Sequence, residues 1–212
     1  MEHYNVLIAT PGRDVVMPYL RSLMDTVEVL HKENITFKFI NRHSPQVNQA
    51  REGTMMNDDF LDIANDKPLH GNVTYDVMFW IDSDMSWTPA DFLKLYKSDK
   101  EIISGIYASD KNVLMHNPHS MQDLLKVETF PVKQIGGGFF AVKQGVFESL
   151  ERPWWQTIYM KKEIDGKEYL IPMGGDYSLS HRLIQKGYEI YVDPTVVLGH
   201  HKTVEVKPAV LS

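Results

Sequence analysis

The stretch Tyr75-Asp76-Val77-Met78-Phe79-Trp80-Ile81, running straight into Asp82-Ser83-Asp84 and then Thr88-Pro89, decides how the chain is read. The apolar run is short, bulky and aromatic, which fits a buried strand better than a helix. Thr88 offers a hydroxyl N-cap and Pro89 suits the first helical position, so a helix is predicted to open there. Strand, acidic turn and helix in that order make one unit of an α/β sheet with crossover helices.

The same alternation extends in both directions. On the N-terminal side, Asn5 to Thr10 reads as a strand, followed by the turn Pro11-Gly12-Arg13-Asp14. A helix should follow, with Val16, Leu20, Leu23, Val27 and Leu30 as its apolar face. Thr36 to Ile40 reads as a second strand and Val47 to Ala64 as a helical segment. On the C-terminal side, Ile102 to Tyr107 is a further buried strand, and Lys133 to Val142 a strand broken by Gly136-Gly137-Gly138. Asp176 to Lys186 carries Leu179, Leu183 and Ile184 at helical spacing and is closed by Gly187, a common residue just past a helix end. Short strands are predicted at Glu189 to Val192 and Thr195 to Leu198. The expectation is a single α/β domain over residues 1–212: a mixed, mainly parallel sheet flanked by helices.

Composition narrows the function classes. With 212 residues, 43% hydrophobic and 24% charged, the chain can bury a full core as one domain. Its 28 acidic against 22 basic side chains give a formal charge of −6, which disfavours a large nucleic-acid footprint. The absence of cysteine excludes disulfides, thiolate metal sites and cysteine nucleophiles. Val6-Leu7-Ile8-Ala9 is too short for a signal core or a membrane span, so no transmembrane segment is expected and the cytoplasm is the default compartment.

In an open α/β sheet, ligands gather outside the carboxyl ends of the strands, where Asp82-Ser83-Asp84 falls. Two carboxylates beyond so apolar a strand are costly to leave unpaired. A divalent cation bridging them to a diphosphate satisfies them with hard oxygen ligands; a polar turn in which Asp84 helps to cap the next helix is the plainer reading. Gly136, Gly137 and Gly138 read either as a bulge or as a place where missing Cβ atoms let a sugar or phosphate lie on the backbone. Asp176 reads as an N-cap, as a carboxylate in the cleft, or as both. His200 is a structural histidine or a ligand, with His201 competing. Trp154 and Trp155 read as core anchors; His116 and His119, around Pro118, read as loop residues.

Taken together, these segments resemble the GT-A glycosyltransferases. Asp82-Ser83-Asp84-Met85 before the Thr88-Pro89 helix resembles the family's D-x-D segment. Ile135-Gly136-Gly137-Gly138-Phe139-Phe140-Ala141-Val142 resembles its glycine-bearing strand, and Gly174-Gly175-Asp176-Tyr177-Ser178-Leu179 its acidic motif at a helix start. Lys186 to Pro194, with Gly199-His200 beyond, resembles its C-terminal part. The likeness spans about residues 5 to 202, with one departure: Gly175 stands where the family usually has Glu.

The resemblance implies a GT-A fold with a nucleotide-binding part over about 1–107 and an acceptor part over about 108–212. It implies Mn²⁺ or Mg²⁺ held by Asp82, Asp84 and His200, the histidine favouring manganese. A nucleotide-sugar donor, a UDP- or GDP-sugar, would be contacted by Thr10, Pro11, Arg13, Asn48, Arg51, Asp82, Ser83 and the three glycines. Asp176 would be the general base toward a glycan or other hydroxyl acceptor in an inverting displacement. Acceptor loops are expected at 108 to 130 and 151 to 172. Two rivals stay open: a sugar nucleotidyltransferase, for which Thr10 to Asp14 is short and poor in glycine, and a binding module with a decayed site, kept in play by Gly175.

Overall fold

The computed structural model describes residues 1–58, 66–109, 114–118 and 127–202. In chain order its strands are β1 (Glu2–Pro11), β2 (Phe37–Arg42), β3 (Val73–Ile81), β4 (Met85–Ser86), β5 (Ile102–Ile106), β6 (Asn117–Pro118), β7 (Phe130–Gln134), β8 (Phe139–Lys143), β9 (Ile158–Ile164), β10 (Lys167–Met173), β11 (Ile190–Val197) and β12 (Gly199–His200). The α-helices are α1 (Met17–Lys32), α2 (Val47–Met56), α3 (Pro89–Tyr96) and α4 (Gly175–Gln185). The main sheet has the order β2-β1-β3-β8-β5-β11-β7-β6. β1 pairs in parallel with β2 and β3, and β5 with β11. β8 lies antiparallel between β3 and β5, and β7 antiparallel between β11 and β6. Strands from the second half of the chain are thus interleaved with those of the first.

Burial on both faces explains why the second half of β3, Val77 to Ile81, is apolar without interruption. Met78 and Trp80 enter one core, with Met55 and Met56 of α2, Trp154 and Trp155, and Leu179 and Leu183 of α4. Val77, Phe79 and Ile81 enter the other, with Tyr19 and Leu30 of α1 and Phe92 and Leu95 of α3. A strand covered by helices on both faces has no polar side to show. The two tryptophans after Pro153 anchor the core, as their sequence context predicts.

Local signals hold where side chains make them. Thr88 and Asp91 form a reciprocal capping box at α3, with Pro89 in the first turn. Gly187 takes a φ of +95° just past α4, where a side chain would be strained.

Four expectations need correction. The expected face of α1 holds at Leu30, with Val16 and Leu23 partly buried against the core, but its fully buried stripe is Tyr19, Ser22, Thr26 and Leu30, because Ser22 and Thr26 hydrogen-bond the backbone and indole of Trp87, while Leu20 is exposed. α2 stops at Met56, since Asn57 turns left-handed with φ 53°; residues 59–65 of the expected helix lie outside the described residues. The glycine-broken strand is two strands, β7 and β8, in different places in the sheet. The last two short strands are one, β11, with a register shift between Val192 and Val197 around Pro194.

The hairpin β9–β10 was not anticipated. Its turn, Asp165-Gly166, has positive φ at both residues, as a two-residue hairpin turn of type I′ requires. Among the described residues, no helix is long and apolar enough to cross a membrane.

Candidate active site

The end of β3 is tied down before its side chains are aimed. Asp82 N–H donates to the Gly138 carbonyl at 2.8 Å, and Met85 N–H to the Asp82 carbonyl at 3.1 Å. The second bond closes a turn, so Asp82 and Asp84 do not share a direction as residues i and i+2 of a strand would.

Asp82 faces inward to Arg51, whose Nη2 lies 3.4 Å from Asp82 Oδ2. Nη1 of the same guanidinium pairs with Asp176 Oδ1, and Gly137 N–H donates to Asp176 Oδ2 at 2.9 Å. The Arg51 side chain is only 8% exposed and lies over the Trp155 ring at 4.5 Å from its centre. Two acidic segments more than ninety residues apart are thereby held by one buried cation. Burial pushes the Asp82 carboxyl up to about 6, against the downward pull of Arg51 and with further upward pushes from Asp176 and Asp84.

The buried glycines fit around this cluster. A Cβ on Gly137 would lie 2.6 Å from Asp176 Oδ1 and 2.8 Å from Arg51 Nη2. One on Gly138 would lie 2.8 Å from the Tyr107 hydroxyl, to which Gly138 N–H donates at 2.7 Å; Gly136 is equally crowded by Tyr107. The space kept free by the missing side chains is filled by Asp176, Arg51 and Tyr107, where a sugar or phosphate was expected. Gly175 has a related cause. A Cβ there would meet Asn48 Oδ1 at 2.9 Å and Arg51 Nη1 at 3.4 Å, so a glutamate in that position would displace Asn48.

Asp84 faces the other way. β12 pairs with β4, setting His200 opposite Met85, and His200 Nε2 comes to 3.4 Å from Asp84 Oδ2. His200 Nδ1 is 2.8 Å from the Ala108 carbonyl. A carbonyl only accepts, so in the neutral ring Nδ1 carries the proton and the Nε2 lone pair faces the carboxylate. That is how a protein presents a histidine to a metal, its second nitrogen fixed by a backbone oxygen. Lys202 Nζ lies 2.7 Å from the same Asp84 oxygen.

Asp84 and His200 therefore fit as two donors to one divalent cation. Asp82, expected as a third, is turned to Arg51. Among the described residues no group of three His, Cys, Asp or Glu side chains is placed to hold a metal ion. Phosphate-bound cations commonly take only one or two protein ligands, with water and phosphate oxygens supplying the rest.

The remaining expected residues divide. Thr10 is fully buried and its hydroxyl is bonded to Tyr19, so its side chain is part of the core and does not face a nucleotide. Pro11 is buried as well, whereas Arg13 is exposed. The Ser83 carbonyl accepts from Val16 N–H at 3.0 Å, and its hydroxyl lies 3.2 Å from where a Gly12 Cβ would be. Asn48 stands beside Gly175 and 3.5 Å from the Thr157 hydroxyl. His116, expected in a loop, is buried edge-on against Tyr107, and burial lowers its pKa to about 4; His119 lies outside the described residues.

Tyr107, Lys202 and the stacking of Arg51 on Trp155 were not read from the sequence. Tyr107 had a usable signal, since it is the first residue beyond β5, the kind of position that singled out Asp82.

Comparison with solved structures places this architecture. The crystal structure of A197 from STIV aligns over 96% of this chain and 87% of that one, with a TM-score of 0.57 and 17% identity. The structure of GalNAc-T7 with UDP, GalNAc and Mn²⁺ aligns over 94% of this chain and 44% of that one, with a TM-score of 0.53 and 12% identity. No family model and no curated protein sequence matches the chain. At these identities the likeness is one of fold, and the fold is of the GT-A, Rossmann-like α/β kind.

Proposed function

We propose that the chain is a metal-dependent glycosyltransferase moving a sugar from a UDP- or GDP-sugar to an acceptor hydroxyl. The observation that carries this reading is the Asp84–His200 pair at the strand ends, with imidazole Nε2 3.4 Å from the carboxylate and Nδ1 held by a backbone carbonyl; Asp176, in the first turn of α4, supplies a separate carboxylate. In this reading Asp84 and His200 hold a Mn²⁺ or Mg²⁺ ion, which when bound offsets the charge growing on the leaving diphosphate.

The chain's own groups then have separate tasks. Arg51 and Gly137 N–H fix the Asp176 carboxylate, each binding one of its oxygens. Carboxylate oxygens have more than one lone pair, so Asp176 still accepts the acceptor's hydroxyl proton as general base. Asp82 stays on Arg51 and keeps that cation from pairing with Asp176 alone. The backbone at Thr10 to Gly12 and the exposed Arg13 are left to meet the nucleotide.

Titration calorimetry of UDP and of GDP with Mn²⁺ tests the metal pair. Wild type should bind one of them only with the metal, and Asp84→Ala should abolish that metal dependence; unchanged affinity in Asp84→Ala removes the assignment. Asp176→Asn should keep donor binding and lower transfer by about 10²- to 10⁴-fold, the usual range for a positioned base. Transfer at the wild-type rate, or retained anomeric configuration in the product, removes Asp176 from that role.

A further inference from the structure

α1 carries two stripes, and the fold of one chain buries only the first. That stripe, Tyr19, Ser22, Thr26 and Leu30, faces the sheet, with Ser22 and Thr26 bonded to Trp87 on the side toward α3. The second, Met17, Leu20, Met24 and Val27, recurs at the alternating three- and four-residue spacing of a helix–helix seam. Met17, Leu20 and Met24 are 60%, 40% and 59% exposed. Helix periodicity puts this stripe on the flank away from α3, toward β2. There Phe39 is also exposed. Phe37 packs in the core under α1 and Ile40 in the core of the opposite face, so Phe39 points to the α1 side.

β2 is an end strand of the main sheet, paired with β1 alone among the described residues. The Thr36 and Arg42 carbonyls accept from Val6 and Gly12 N–H, in and just past β1. By alternation, Phe37, Phe39 and Asn41 turn their backbone N–H and C=O groups outward. The Asn41 carbonyl accepts from Arg42 Nη1 at 2.9 Å; no described side chain does the same for Phe37 or Phe39. No proline guards this edge. Lys38, the charge that could, is drawn back over the Tyr4 ring to Glu2.

A partner that covers both features brings a strand and an apolar helix face together, and a second copy of this chain has both. We propose that β2 and α1 form a twofold interface between two copies, β2 pairing antiparallel with its mate about Phe39 and α1 packing on its mate about Met24. The registers agree. α1, with 16 residues, and β2, with 6, span about 24 Å and about 20 Å, and Tyr19 near the helix start reaches Thr10, the β1 partner of Asn41 near the strand end. Mid-helix Met24 is therefore level with mid-strand Phe39.

Charge complementarity favours a second copy over other occupants. Antiparallel packing about Met24 sets Arg21 beside Glu28 of the second copy, and the twofold makes that contact twice. Among the described residues Arg21 has no ion pair, and Glu28 has only the exposed Lys32 of its own helix. An anionic bilayer would meet Asp25 and Glu28 next to the stripe, which opposes it. The interface is independent of the glycosyl-transfer reading.

Sedimentation velocity of the full chain over a dilution series tests this. Wild type should run as a dimer at high concentration and dissociate on dilution. Met24→Glu sets two carboxylates against each other at the axis, from an exposed helix position, and should weaken the dimer by at least about a hundredfold. Arg21→Glu should weaken it by at least about tenfold, or 1.4 kcal/mol, and Arg21→Glu combined with Glu28→Arg should restore association. Misfolding cannot produce that restoration, since both positions are exposed. The Phe39 amide should exchange slowly in the wild-type dimer and fast in Met24→Glu.

A wild type that is monomeric throughout, a dimer untouched by Met24→Glu, or a charge exchange that fails to restore association overturns the proposal. Fast exchange of the Phe39 amide in the dimer also overturns it, because the contact would then leave the strand edge open. A monomeric wild type that cosediments with phosphatidylcholine–phosphatidylserine vesicles overturns it in favour of a bilayer.

Discussion

Asp82 and Asp84 stand one residue apart at the end of the same strand, and their surroundings are opposite in kind. Asp82 meets a buried guanidinium that also holds Asp176 and lies on Trp155. Asp84 meets the imidazole of His200, which is 13% exposed, and an ammonium that is 42% exposed. An extended backbone would send both carboxylates the same way; the turn closed by Met85 on Asp82 separates them. Two acids in a D-x-D pattern are thus not two equal ligands. One is held by a buried guanidinium shared with Asp176, and the other by an imidazole and an exposed ammonium. Tyr107 repeats the contrast between two histidines, since buried His116 and the ligand candidate His200 both meet its ring edge-on.

Arg51→Met should separate the two regions most sharply. Removing the cation leaves Asp82 and Asp176 facing each other with no positive charge, and breaking a buried pair this way typically costs about 3–5 kcal/mol. Both carboxylates keep some contact with solvent, so the lower end of that range is expected in urea unfolding. A loss below about 1 kcal/mol would mean that the inner cluster is as replaceable as the outer one.

Gly137→Val comes next. Its Cβ would crowd Asp176 and Arg51, and overpacking of this kind usually costs about 1–3 kcal/mol. Thermal unfolding should move down while metal-dependent nucleotide binding survives. An unchanged melt with nucleotide binding lost would return the glycine to a ligand-facing role.

The histidines give a pH test. Burial holds His116 at about 4, below the ordinary value near 6.5. Between those values the unfolded chain takes up a proton that the folded chain resists, so stability rises with pH across this window and is lost as pH falls through it. His116→Phe keeps the ring and removes the proton site. Its unfolding free energy should therefore be flatter than wild type from about pH 6.5 down to about pH 4, and parallel slopes would show that His116 is not the group responsible.

What the sequence disclosed follows the same division. Strand order along the chain, the Thr88 cap and the Gly187 stop were legible because each rests on neighbours in sequence. The α1 face was read only in part, at Val16, Leu23 and Leu30, because Ser22 and Thr26 are buried by hydrogen bonds to Trp87, more than sixty residues away, which no periodicity records. Gly136, Gly137 and Gly138 sit against Tyr107, Arg51 and Asp176, contacts across the fold that no local pattern records. The hairpin β9–β10 could have been found, since Asp165-Gly166 between strand-forming residues is a strong local signal.

The smallest expected effect lies at Lys202. Its ammonium is 2.7 Å from Asp84 Oδ2, the oxygen that also faces His200, so ion pair and bound cation compete for one carboxylate. An exposed pair of this type contributes at most about 1 kcal/mol, because solvent screens it and ordering a long side chain offsets the attraction. Lys202→Met should consequently leave urea unfolding within that margin. It should also relieve the competition, tightening Mn²⁺ binding in the absence of nucleotide by up to about fivefold, the equilibrium equivalent of about 1 kcal/mol. Calorimetric titration with Mn²⁺ alone reads this directly. Weaker Mn²⁺ binding in the variant would mean that the lysine supports the metal site instead of occupying it, and the contrast between a fixed inner acid and an exchangeable outer one would no longer rest on Asp84.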